Sequence, residues 1–465
     1  MERIVPKYKI VARSLLIVFW VFGTYMFPIQ EAVPAIAPAA SSVGTLLSDA
    51  AIILLGLWTL HKRIDIILYA VLLLIGITSA IINDMPLMMA INGMRFYLIA
   101  VSILPIIRYL LATRERVSYF IPLMDRSLYA FLLLQMPVMV FQCIRWGAFD
   151  NVGGTLGWNM SGTISTLIYI ISFYLMVRRW DYSKSYLGNL RQNIILVVAL
   201  LSSMLNETKV SFIYLVLYFF FLIPMDRNYL KRMVYLLPII IIMICGFGYV
   251  YSRLLSDSYS YVSDYGSMTS MDFFSSYTFG NDDARTLVLD GYLEQVMPDV
   301  EEEDFARGLK YATLPIILSD TPYAWYIGYG PSQFKGGKTL ELTPFAQQYE
   351  WLLKGTQMSV MSFVIDLGLA GLLWFVWYLL VLFRSFRHVK KRDKRLTWFL
   401  SLITILAVCY MPMHIYIVFM IIFVYTAMLS SREPLFKFVP QPTGWWLKPL
   451  PKESSDEQAD NKALP

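Results

Sequence analysis

The chain reads as an all-α polytopic membrane protein of about twelve transmembrane helices, with one large polar loop domain between the ninth and the tenth. Three observations predict this. Hydrophobic residues make up 57% of the 465 and charged residues only 15%, with a mean hydropathy of +0.55, which excludes a soluble enzyme and a disordered chain. The apolar residues fall in successive long runs, the pattern of helices that satisfy their own backbone in lipid rather than of short alternating barrel strands. A polar island, 251–356, then interrupts the apolar pattern before it resumes. A spanning bundle does not need such a segment for stability, so the island is expected to bind or process something.

The elements follow in order. Arg3, Lys7, Lys9 and Arg13 precede the first apolar run, 14–28, and Ala35-Ile36-Ala37 resembles a signal-peptide cleavage site. Pro38 would follow that cut, and the site lies well past the apolar core, so an uncleaved first helix is expected. Further spans are expected at 43–60, 64–82, 92–111, 120–143, 161–177, 194–206, 210–224 and 234–251, then at 357–383, 396–412 and 414–430. Basic clusters fall on alternate loops: the N-terminus, Lys62/Arg63, Arg108/Arg114/Arg116, Arg178/Arg179/Lys184/Arg191, Arg227/Lys231/Arg232, and Arg384 through Arg395. The positive-inside rule makes these cytoplasmic, with both termini, and puts the island outside. The island carries fifteen Asp/Glu against seven Lys/Arg, consistent with a translocated segment. The net charge of +6 is thereby a topology signal and not one for nucleic acid. The expected organisation is an N-terminal bundle of about nine helices (1–250), the loop domain (251–356), C-terminal helices (357–430) and a disordered tail (431–465).

Residues 194–224 allow two readings. As one tilted helix of about 31 residues they would extend roughly 46 Å and move the island to the cytoplasm. As two short helices meeting at Asn206-Glu207-Thr208-Lys209 they keep the charge pattern intact, and this reading is preferred. Each half is then short for a hydrocarbon core of about 30 Å.

Few residues present themselves for chemistry. Glu207 and Lys209 point to nearly opposite faces on a regular helix, but at a helix break both reach one cavity. Charges at that depth mark either a functional site or an ion pair that locks the turn. Arg95, at the outer start of the fourth span, either snorkels to headgroups or holds a phosphate with its planar fork. Arg145 opens a glycine-rich outer loop, with Trp146 and Trp158 suited to interface anchoring or to sugar stacking. In the island, Asp282 and Asp283 precede Arg285 and an amphipathic segment that either of them would cap. The three cysteines, Cys143, Cys245 and Cys409, sit in or beside apolar runs with no metal spacing. No phosphate-binding loop, zinc-protease motif or nucleophile elbow is present, and no Asp-x-Asp pair supports a nucleotide-sugar metal site.

The order of these features resembles the O-antigen polymerase/ligase superfamily of bacterial envelopes. Gly153-Gly154-Thr155-Leu156-Gly157 is similar to that family's outer-loop Gly-Thr-Phe-Gly pattern, and Glu207-Thr208-Lys209 stands where many members carry Ser-Arg-Gly. Asp283-Ala284-Arg285 with Gly328-Tyr329-Gly330-Pro331-Ser332-Gln333-Phe334 resembles the loop's Arg…Gly-x-Gly-x-x-Phe run. Asp366-Leu367-Gly368-Leu369-Ala370-Gly371-Leu372 resembles the acidic-x-Gly-Leu-x-Gly start of the helix after the loop. The His-Asn pair of the ligases has no counterpart near Gln357-Met358, which favours a polymerase. The resemblance implies a metal-independent, cofactor-free glycosyltransferase of the bacterial inner membrane, with a periplasmic loop domain. It would move glycan from undecaprenyl pyrophosphate onto the next lipid-linked unit, alongside a chain-length regulator or flippase. Arg95, Arg145, Lys209 and Arg285 become the candidates to hold pyrophosphate, and Glu207, then Asp282 or Asp283, the candidate base. A ligase, a flippase or transporter without bond chemistry, and an export-partner protein are the competing expectations.

Overall fold

A computed structural model describes residues 6–147, 151–203 apart from 159 and 182, 205–206, 209–223, 229–238, 241–242, 307–331, 345, 349, 358–383 and 394–411. All regular structure among them is helical. In chain order the helices are α1 (Lys7–Thr24), α2 (Met26–Ala32), α3 (Ala37–Thr59), α4 (Arg63–Ile82), α5 (Leu87–Leu110), α6 (Arg114–Trp146), α7 (Ser161–Arg178), α8 (Tyr186–Gln192), α9 (Ile194–Ser202) and α10 (Lys209–Leu222). They continue with α11 (Arg307–Ser319), α12 (Ala324–Ile327), α13 (Ser359–Phe383) and α14 (Lys394–Tyr410). Among the described residues, seven stretches are long and apolar enough to cross a membrane: Lys7–Ala32, Pro34–Thr59, Arg63–Ile82, Leu87–Leu110, Arg114–Trp146, Ser161–Arg178 and Ser359–Phe383.

The first six expected spans are all present, with longer ends. The first helix starts at Lys7, and α6 runs 33 residues through Pro122 and Pro137. Thr113 caps α6, its hydroxyl accepting from the Arg116 amide, and Gly147 at φ +83° ends it. The Ala35-Ile36-Ala37 run forms a 3₁₀ turn, Pro34–Ile36, leading into α3. The expected spans 234–251 and 414–430 lie largely or wholly outside the described residues, as do most of the island and the whole tail.

Contacts separate two faces of the bundle. At one, Lys7 donates to the Trp58 carbonyl and lies over the Tyr109 ring, Tyr8 donates to Glu115, and Arg108 pairs with Asp65. At the other, Thr155 donates to Gly23 O, Asn83 donates to Gly328 O, and Ser359 donates to Met411 O. We call this the loop face.

The 194–224 run is a hairpin. The Ser172 hydroxyl on α7 donates to Leu196 O at 3.1 Å and lies 3.0 Å from the Tyr218 hydroxyl. In one straight helix those residues would be about 33 Å apart, too far to meet one serine. Asn206 marks the turn: its amide donates to Ser161 O (2.9 Å), and its side chain bonds the Ser165 hydroxyl near the start of α7. Thus α9 climbs towards the loop face and α10 descends from it. α7 is buried along its length between them, and Phe173 stacks on Phe399 of α14 at 3.8 Å. With no hydrophobic gradient between lipid and helix, such aromatic packing and the interhelical hydrogen bonds hold the group together. Arg395 ties the far end, donating to Leu222 O and lying over the Trp180 ring.

Candidate functional site

On the loop face a piece of the island crosses a broken spanning helix. Gly368 takes φ +63° inside α13 and breaks its hydrogen-bond ladder there. The segment after α12 takes up the released groups: the Tyr329 amide donates to Ile365 O at 2.7 Å, and the Gly330 amide to Asp366 O at 3.0 Å. Gly328, at φ +69°, faces Gly368 across this crossing. A Cβ on Gly328 would lie 2.5 Å from Ile365 O, and one on Gly368 would lie 2.4 Å from Ile327 N. Both glycines are therefore required by two backbones in contact. From α4, Ser79 donates to Ile327 O (2.6 Å) and Asp366 O (3.1 Å), and Asn83 donates to Gly328 O (3.0 Å). From α5, Tyr97 donates to the Asp366 carboxylate at 2.7 Å. The loop side is aromatic. Tyr329 packs on Phe345 and Phe345 on Tyr349.

The nearby charges are already engaged. Arg95 lies two turns inside α5, and its Nε is 2.9 Å from the fully buried carboxylate of Asp49 on α3. Its guanidinium also lies 4.7 Å from the Phe96 ring centroid. It neither reaches out as a free snorkelling cation nor stands at a helix start as expected from sequence. Arg145, at the end of α6, is largely exposed and 3.7 Å from Glu31 of α2. The glycine-rich outer loop folds inward: the Gln142 and Gln135 side chains bond the Gly154 and Thr155 backbone, and Gln30 accepts from the Trp158 amide. Trp146 meets Trp158 edge to face at 5.7 Å. That loop closes the bundle end rather than offering its backbone to a ligand.

The structure thus separates Arg95 and Arg145, which pair with acids on different helices. Lys209 is the first residue of α10, three positions past the Asn206 turn. Glu207, Asp282, Asp283 and Arg285 lie outside the described residues. Asp49, Tyr97 and Ser79 were not singled out from sequence. Asp49 carried a usable signal, an acid within an apolar run. Tyr97 and Ser79 carried none, being ordinary residues of spanning helices. Among the described residues no group of three or more His, Cys, Asp or Glu is placed to hold a metal ion. Chemically, the crossing offers a buried carboxylate fixed by a phenol, a guanidinium–carboxylate pair two residues along α5, and a loop segment locked to both. No family model matches the chain, and no curated protein matches it either.

Proposed function

We propose that this chain is a polymerase of a bacterial surface polysaccharide, acting in the inner membrane with both termini cytoplasmic. The acceptor sugar hydroxyl of one lipid-linked unit attacks the anomeric carbon of the other chain. The bond from that carbon to the undecaprenyl pyrophosphate oxygen breaks, and the pyrophosphate carrier leaves. A carboxylate, Glu207 or else Asp282 or Asp283, takes the hydroxyl proton, and Lys209 and Arg285 are the cations for the departing charge. The observation that carries the reading is the crossing itself. The runs Gly328-Tyr329-Gly330 and Asp366-Leu367-Gly368, which resemble two separate segments of the polymerase/ligase superfamily, meet backbone to backbone. The hairpin turn beside Lys209 opens at the same face. Deleting the gene and profiling surface glycan on gels tests this. A polymerase leaves single-repeat glycans, and a ligase leaves none attached to lipid A.

A second reading, transport without bond chemistry, draws on three buried ion pairs inside apolar helices: Asp49–Arg95, Asp65–Arg108 and Asp125–Arg178. It predicts loss of all external glycan on deletion, single repeats included.

A further inference from the structure

The island's contact with the bundle lies below the helix ends. Asp366 is seven residues past the start of α13, about 10 Å down its axis at 1.5 Å per residue. Ser79 is three residues short of the end of α4, about 4.5 Å inside it. A stretch bonded to Ile365, Asp366 and Ser79 therefore sits at the depth of spanning helices and not above them.

Much of its backbone is paired, with itself or with the bundle. The amides of Tyr326 and Ile327 both donate to Tyr323 O, and that of Gly328 to Ala324 O. The amides of Tyr329 and Gly330 go to α13, and the carbonyls of Ile327 and Gly328 accept from Ser79 and Asn83. Non-helical backbone persists at bilayer depth only when paired in this way. Its outward side chains are aromatic: Trp325 is 44% exposed and Tyr326 67%. The adjoining ends of α4 and α5 expose Ile81, Leu87 and Met88, apolar residues of helices long and apolar enough to cross a membrane. Trp and Tyr on such a boundary are the side chains that headgroup regions select.

We infer that residues 323–330 form a re-entrant segment seated in the membrane interface of the loop face, with Trp325 and Tyr326 lodged among lipid headgroups. The partner of this surface is the bilayer. The inference is independent of the polymerase reading, since it rests on depth, backbone pairing and exposure alone.

Single nitroxide labels on the full chain, with Cys143, Cys245 and Cys409 replaced by serine, test it in liposomes. Labels go at Tyr326, at Leu373 on the lipid-facing side of α13, and at Lys184 in a basic loop. Collisions with oxygen report lipid, and collisions with a water-soluble nickel chelate report water. The Tyr326 label is expected to meet nickel several-fold less than the Lys184 label while meeting oxygen at a rate nearer that of Leu373. Nickel access equal to Lys184 would overturn the inference by making the segment an aqueous loop. Exclusion from both reagents would overturn it equally, by showing protein covering the patch. Should the Tyr326 label prevent folding, the same label at Trp325 gives the same comparison.

Discussion

At the scale of single residues, the loop-face crossing depends on two glycines and on a set of hydrogen bonds that includes Tyr97 to Asp366. Gly368→Ala puts a Cβ against the Ile327 amide at a left-handed backbone angle, and Gly328→Ala meets the Ile365 carbonyl likewise. Each should lose most folded protein, measured by size-exclusion profile in detergent, because backbone rather than a flexible side chain must move. Tyr97→Phe leaves the ring and removes the hydroxyl from Asp366. A cost of about 1–3 kcal/mol is expected, read as a lowered Tm in detergent. An unchanged Tm would show the bond is dispensable. Arg95 and Asp49 make a paired test. Arg95→Gln alone leaves a buried carboxylate and should destabilise by about 3–5 kcal/mol, and adding Asp49→Asn should recover much of that. If Arg95 also holds pyrophosphate, the double variant folds yet makes short glycan. Normal glycan length would leave the pair purely structural. Of these residues, Arg95 was singled out from sequence as a candidate phosphate ligand, and Asp366 and the two glycines were quoted as parts of a familiar run. Asp49 had the signal of an acid in an apolar stretch, but its partner cannot be read from a chain without knowing which helices touch.

At the scale of elements, the first six expected spans are present as helices, because long apolar runs report helices that can cross a bilayer. The sequence reading left 194–224 open, and a serine on a different helix settles the geometry by meeting both Leu196 and Tyr218. The hairpin makes Asn206 a pin between turn and α7. Asn206→Ala should expose the pairing groups of Ser161 and Ser165 to no partner, lowering Tm by several degrees while leaving insertion intact. A neutral result would move the weight of the turn onto aromatic packing around Tyr169 and Tyr214. The glycine-rich outer loop was read from sequence as a place for ligand approach, but three glutamines from α2 and α6 hold it inward. Long-range partners of this kind leave no periodic trace.

At the scale of the whole molecule, the described bundle gathers Lys7, Glu115, Asp65 and Arg108 at one face and, at the other, the hairpin turn, the broken helix and the described part of the island. The all-helical membrane character was legible because composition and run length alone report it. The docking of the island into the bundle was not, since a polar stretch of mixed composition carries no sign of which helices it meets. Arg285→Lys addresses the island's part in the chemistry. It keeps the charge and loses the planar fork, so shorter glycan at normal abundance is expected, and wild-type length would remove Arg285 from the site. The most direct measurement uses purified protein in liposomes with single lipid-linked repeat units. The account predicts a ladder of longer glycans on the carrier, one undecaprenyl pyrophosphate released per bond formed, and loss of both in Glu207→Gln protein that still folds. Folded wild-type protein that moves the units across the membrane, releasing no carrier and forming no ladder, would contradict it.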